Sequence, residues 1–423
     1  MMEVLAPLAG AGLAFVGVSF FVLLRRDRAV GLALSATATL LVLIPPSAYS
    51  GLPGGQSAQA AIVLIVLSMS LIGRLAAIRI GLDIVAIATI TAVQIAGSAA
   101  HGYPLAYYTF SPVVGFLFYV AARNSSRAEL SRVINTIVVL AVLEVPLAAI
   151  EVVVQAPLIG VKSGSSGENP FLPFWDRAQG TLGHPLVLSG LLLAALTWVI
   201  VSKQHTKKSR TLISITLGVG LLLSGSSTAL ILGVLVVTWS LLFQARPERW
   251  LAAGVTLGAI ALVGSFVSIV PDALGNDLSG FGTAHRISSI EAMPRLILDR
   301  GFWEAWFGNG ANSTAALFAD GRFFSGSFLA VDNQYVLLLA QAGLVGLLLF
   351  VAVLIYATVM SVRRLGPLIP MFTLLGLSFD FLQWYATSAV FFIALADALH
   401  SERRDEKGHE PKSGTSRGFV LKS

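Results

Sequence analysis

The apolar run Ala261-Leu-Val-Gly-Ser-Phe-Val-Ser-Ile-Val270 breaks into Pro271-Asp-Ala-Leu-Gly-Asn-Asp-Leu-Ser-Gly280, the start of a long polar stretch that ends at Asn333. That stretch carries twelve ionisable residues from Asp272 to Asp332, with His285 and Arg286 near its middle. Apolar runs long enough to span a bilayer flank it at 251–270 and 334–360. The chain keeps most of its charge out of such runs and gathers it in this one loop. Chemistry is therefore expected there, at a membrane surface.

Composition supports this reading. The chain has 423 residues, 56% hydrophobic and 12% charged, with a mean hydropathy of +0.81. A soluble domain carries about 25% charged residues. Backbone in lipid must satisfy its own hydrogen bonds, so numerous spans predict an all-α polytopic bundle. The net charge of +6 is spread between spans, which argues against a nucleic-acid partner. With no cysteine, disulfides and thiolate chemistry are excluded. Residues 4–24 are read as a span and not a cleavable signal, because Arg25, Arg26 and Arg28 follow the run.

Apolar windows predict thirteen spans, near 4–24, 29–46, 58–73, 80–98, 104–121, 133–156, 185–201, 211–224, 226–243, 251–270, 334–360, 367–383 and 385–400. The pair around Ser224-Gly-Ser-Ser227 reads as two helices or one broken one, so the expectation is 12–14. Alternate connections and the C-terminal tail hold 22 of the 28 Lys and Arg residues. The other side has Lys162, Arg177, Arg286, Arg295, Arg300 and Arg322. The bias puts the 22 in the cytoplasm and the loops 157–184 and 271–333 outside. Residues 1–400 form one transmembrane domain on this reading, and 401–423 a disordered cytoplasmic tail. No internal repeat is evident, which disfavours a transporter of duplicated halves.

Three outer-side features carry candidate chemistry. Arg177-Ala-Gln-Gly-Thr-Leu-Gly-His184-Pro185 runs straight into a span. Pro185 suits a first helical turn, which puts His184 at a helix N-terminus where anions are attracted. A simple capping histidine fits equally. The polar break Ser224-Gly-Ser226-Ser227 reads either as a packing turn or as donors beneath an anionic ligand. In the large loop, Thr283 is a candidate cap for an amphipathic segment over 284–307, kinked at Pro294. Arg286, Glu291 and Arg295 would turn toward a cavity, and Phe302, Trp303, Trp306 and Phe307 would lie at headgroup depth. A surface helix with solvated charges is the plainer alternative. Gly308-Asn-Gly310 turns the chain, and Val331-Asp332-Asn333-Gln-Tyr335 closes the loop.

In this order, Arg177…Gly180-Thr-Leu-Gly-His184-Pro185, Ser224-Gly-Ser226, Arg286…Gly308-Asn-Gly310 and Asp332-Asn333…Gly343-Leu-Val-Gly346 resemble the O-antigen ligase and O-antigen polymerase family of bacterial surface-polysaccharide enzymes. The likeness covers roughly residues 175–360. It departs at Ser227, where the family usually has Arg, and at Asp332, where it often has His. The resemblance implies a fold similar to the membrane glycosyltransferases of type C. It also implies a metal-independent, cofactor-free transfer from a polyprenyl-diphosphate-linked oligosaccharide in the cytoplasmic membrane, with other polysaccharide-assembly proteins as possible partners. Arginines would hold the diphosphate, with Arg286, Arg177 and Arg295 as candidates. Asp332 or His184 would be the base, Asn333 or Tyr335 would orient it, and Ser226 and Ser227 would line the substrate. Physical argument agrees: guanidinium binds phosphate oxygens in a fork, and fixed cations stabilise charge on a leaving diphosphate.

Glu144 and Glu151 lie seven residues apart in one span, with Pro146 between, and Asp380 sits in another. Intramembrane carboxylates mark function by default, so a proton-coupled transporter or flippase is the rival reading. A non-catalytic assembly subunit is the third. In the plainest reading, Glu151 snorkels to the interface and Glu144 pairs with an arginine.

Overall fold

The computed structural model describes residues 29–44, 55–72, 78, 80–103, 107–158, 167–202, 204–243, 289–323 and 331–400. The expected spans at 4–24 and 251–270, the tail from Ser401, Thr283 and Arg286 lie outside them. The described chain is mostly helical. Its elements are α1 (Ala29–Leu43), α2 (Gly55–Ile72), α3 (Leu82–Ala100), α4 (Tyr107–Arg123) and α5 (Arg127–Val154). A two-stranded antiparallel hairpin follows, β1 (Glu168–Asn169) with β2 (Leu172–Asp176). Then come α6 (Pro185–Val201), α7 (Lys207–Ser224), α8 (Ser227–Phe243), α9 (Met293–Leu298), α10 (Phe302–Phe307) and α11 (Thr314–Ala319). The last are α12 (Gln334–Leu365), α13 (Leu368–Leu375) and α14 (Tyr385–His400). Among the described residues, three helices are long and apolar enough to cross a membrane: Leu82–Ala100, Arg127–Val154 and Gln334–Ser361.

A helix that is apolar all round belongs in the middle of a bundle. α6 does, with every residue from Pro185 to Ile200 buried, and so does α14 from Tyr385 to Leu399. α6 packs against α5, α7 and α8, and α14 runs along α4. The outer helices turn apolar side chains outward, among them Leu143, Ile150 and Val153 on α5 and Leu348, Ile355 and Val359 on α12. Exposed apolar rows of this kind suit a lipid-facing surface. The bundle has two distinct ends. At one, Arg123 bonds Asp83 (2.9 Å) and a Ser126–Glu129 capping box starts α5. At the other, the far end of α3 meets the 309–311 turn, with Ala311 N–H donating to the Gln94 carbonyl (3.1 Å).

Two expectations are settled here and two change. The break at 224–227 separates two helices: Gly225 ends α7 at φ 63°, and the Ser226 hydroxyl accepts from Ala229 N–H (3.4 Å) to start α8. Helical residues 289–291 and α9 meet at a break at Ala292, so the segment is interrupted beside Pro294 as expected, and a second bend falls at 299–301. The span expected at 367–383 is only the eight-residue α13 followed by a non-helical connection, 376–384.

The second change concerns α12. It is broken at Gly343 (φ 65°, ψ −165°) into a short arm, 334–342, and a long arm, 344–365. The rings of Tyr335 and Phe350 lie 6.2 Å apart, where a straight helix would separate them by about 22 Å. The short arm therefore doubles back on the long one. Its last carbonyls would be orphaned in an apolar setting. Asn309 N–H takes up Ala340 (2.9 Å), Gly310 N–H takes up Gln341 (2.9 Å), and Arg300 donates to Leu339 and Ala340 (both 3.1 Å). A cation also suits a helix C-terminus.

A Cβ on Gly343 would fall 2.3 Å from the Trp306 carbonyl carbon. Gly343→Ala is therefore expected to destabilise the protein by about 2–4 kcal/mol, read as a lower melting temperature in detergent. Gly218→Ala, with nothing within 4 Å of the added methyl, should melt at or above the wild-type temperature.

Candidate functional site

α5 carries two buried carboxylates on one face, two turns apart. That face meets the loop after the hairpin. Glu151 Oε2 accepts the N–H groups of Gln179 (2.9 Å) and Gly180 (2.7 Å), and its Oε1 accepts from Leu158 (3.0 Å). Glu144 Oε2 accepts from Thr181 N–H (2.9 Å), and the Thr181 hydroxyl lies 2.5 Å from its Oε1. Gly180, at φ 58°, is the only residue type that fits, since a Cβ would sit 2.3 Å from Glu144 Oε2. The arginine partner expected for Glu144 is replaced by Thr181, because a loop with no ladder of its own needs acceptors for its N–H groups. Glu151 is likewise committed to loop N–H groups and does not snorkel.

Anchored beneath, the loop reaches over the α7–α8 turn. Ala178 N–H donates to the Leu223 carbonyl (3.0 Å), and Arg177 Nε to Ser224 (3.1 Å) at the C-terminus of α7. The Arg177 stem packs on Gly225, where a Cβ would meet it at 2.8 Å. Seven residues after Arg177, His184 caps α6 by accepting Leu186 N–H on Nδ1 (3.2 Å), and Pro185 follows as the sequence suggests. The neutral ring then carries its proton on Nε2. Burial, and then the Arg177 cation, push the His184 imidazole down to about 3. It is an uncharged donor at neutral pH and a poor base.

The opposite wall comes from the 376–384 connection. Gln334 N–H donates to Gly376 (2.8 Å), Asn333 Nδ2 to Leu377 (3.2 Å), and Leu382 N–H to Gln334 Oε1 (2.8 Å), so the connection lies along the start of α12. This sets Asp380 beside Asp332. Trp384 donates Nε1–H to Asp380 Oδ1 (3.2 Å), and its ring lies 4.7 Å from that of His184. Burial, and then the Asp332 charge, push the Asp380 carboxyl up to about 7. One polar site thus joins Arg177, His184, Trp384, Asp380 and Asp332.

Other candidates sit elsewhere or have local duties. Ser226 caps α8, and Ser227 is exposed. Asn333 caps α12 by accepting from Tyr335 and Val336 N–H (3.0 and 3.1 Å), while the Tyr335 hydroxyl donates to Thr373 (2.6 Å). Their groups are thus engaged by the backbone, where they were expected to orient Asp332. Arg295, half-exposed on α9, donates from Nη1 to the Gly321 carbonyl (3.5 Å), and Glu291 is exposed. Arg286 lies outside the described residues. Sequence reasoning missed Trp384 and assigned Asp380 to the transporter reading. Their i, i+4 spacing was the signal that pairs them.

Arg177, His184 Nε2–H and the α6 N-terminus form a donor wall suited to an anion. The Asp380 carboxyl beside it can take a proton near neutral pH. No protein-family model matches this chain, and no curated protein matches it.

Two outcomes follow from this geometry. Glu151→Gln turns one donor toward another N–H and should cost about 1–3 kcal/mol in thermal unfolding. For Asp380 the value in the folded state lies above the ordinary carboxylate value near 4, so ionising it weakens the fold. The stability it allows at low pH is lost as pH rises from about 4 to about 7. Asp380→Asn should therefore gain melting temperature over wild type at pH 8 more than at pH 4.

Proposed function

We propose that this chain is a membrane glycosyltransferase. It transfers or polymerises glycan units from a polyprenyl diphosphate carrier on the outer face of the cytoplasmic membrane. The observation that carries this reading is the convergence of an anion-binding wall and a carboxylate pair, built by Arg177, His184, Asp332 and Asp380. A diphosphate leaving group needs fixed donors and cations, and an acceptor hydroxyl needs a base. Few other chemistries need both in one place.

On this reading Arg177 and the His184 N–H hold the diphosphate, and the family resemblance gives Arg286, outside the described residues, the same role. Asp332 and Asp380 share the role of base. Asp332 occupies the position where the O-antigen ligase and polymerase family, which the motifs resemble, often has His. The shared proton offsets the loss of an imidazole, because one carboxylate near another titrates close to neutrality. The bundle would have 12–14 spans in the manner of type C membrane glycosyltransferases. The Lys/Arg bias supports an outward site: Arg123 and Arg127 mark the cytoplasmic end of α4 and α5, and the loop anchored on Glu144 and Glu151 lies toward the opposite end of α5. The transporter reading loses support once both glutamates are committed to loop N–H groups.

The test is reconstitution of the full chain with a polyprenyl-diphosphate oligosaccharide and an acceptor glycan. Wild type should transfer or extend chains with and without a chelator. Asp332→Asn and Asp380→Asn should each slow transfer by about 10²–10⁴-fold, and Arg177→Ala should raise KM. Absence of transfer by wild type, or full activity in both Asn variants, would overturn the proposal.

A further inference from the structure

Asp380 and Trp384 belong to the polar site, but Leu382 and Gln383, from the same connection, line a separate cavity of about 40 Å³. Its other walls come from α3, α4, both arms of α12 and α14. Two buried polar groups in this lining have no protein partner. The hydroxyl of Ser388, a residue 1% exposed, makes no hydrogen bond. Among the described residues the side-chain amide of Gln383 makes none either, although the residue is 9% exposed and its backbone N–H is bonded to the Asp380 carbonyl (2.9 Å).

A buried hydroxyl or amide without a partner is destabilising, and a polar cavity beside such groups ordinarily holds ordered water. An internal water needs about 10–15 Å³ and two to four polar partners. The cavity meets both needs. Gln94, Gln334 and Gln341 line it with Ser388 and Gln383, and their amides have bonding capacity to spare. Gln94 Nε2 donates to Gln341 Oε1 (3.0 Å), and Gln334 Oε1 accepts Leu382 N–H (2.8 Å). No lining residue is charged, and donors stand beside acceptors, which suits a neutral molecule better than an ion.

We propose that this cavity is an internal water site, holding about two or three ordered molecules bonded to Ser388 and Gln383. Waters that bridge these two residues tie the 376–384 connection to α14. They thereby brace the segment that carries Asp380 and Trp384. The proposal goes beyond the glycosyl-transfer reading and does not depend on it.

The test is X-ray radiolysis of the full wild-type chain in nanodiscs, since bound waters yield hydroxyl radicals in place that oxidise adjacent side chains. Phe350 and Phe392, which line the cavity, should be oxidised several times faster than Phe118 and Phe372, which are also buried and do not line it. Equal labelling of the four would mean a dry cavity and would overturn the proposal. A thermal measurement checks it independently. Ser388→Ala strands a water and should lower the melting temperature by about 1–2 °C. A dry, partnerless hydroxyl is better removed, so a variant melting at or above wild type would also overturn the proposal. Wild type should melt alike in sodium chloride and choline chloride. A higher melting temperature in sodium would assign the cavity to a cation and contradict the water site.

Discussion

The architecture of the site depends on two carboxylates in an apolar helix accepting backbone N–H groups from a loop. A carboxylate in a low-dielectric interior is costly unless its oxygens are hydrogen-bonded. Glu144 and Glu151 meet that condition through Gln179, Gly180, Thr181 and Leu158. The loop meets its own, since its donors would otherwise be orphaned. The two needs cancel, and the loop is tied to α5 at four N–H groups. Rigidity matters because Arg177 and His184 bracket the anchored residues. A donor wall works only if it is set in place before the charge develops.

The second wall is built on a broken helix. If α12 ran straight, Asn333 would stand at one end of a long span. Because the chain reverses at Gly343, the short arm carries its own N-terminus back along the bundle by about 13 Å, to where the 376–384 connection can pair with it. Arg300 and the Gly308–Gly310 turn stabilise the arm by taking its last carbonyls. Arg300 thus has a structural duty.

Much of this was legible in the residues. Composition and apolar run length pointed to a mostly helical chain with helices long and apolar enough to cross a membrane, and the boundaries of α6 and α14 match the runs at 185–201 and 385–400. Pro185 after His184 signalled the α6 cap, and the spacing of Glu144 and Glu151 gave their shared face. Their partners were not legible, because backbone N–H groups have no side-chain signature in sequence. The reversal at Gly343 was hidden for a similar reason: an apolar run reads the same whether the helix continues or folds back. Asp332 and Asp380 are far apart in the chain, and only the pairing of 333–334 with 376–382 brings them together.

The central claim is that the anchored loop and the 376–384 connection face each other across one site. Since the chain lacks cysteine, introduced pairs can report this directly in native membranes. His184→Cys with Trp384→Cys should be joined rapidly by a short bifunctional thiol reagent, as should the control Gln94→Cys with Gln341→Cys, whose side chains lie 3.0 Å apart. Cross-linking of the control pair without any at 184 and 384 would contradict the account.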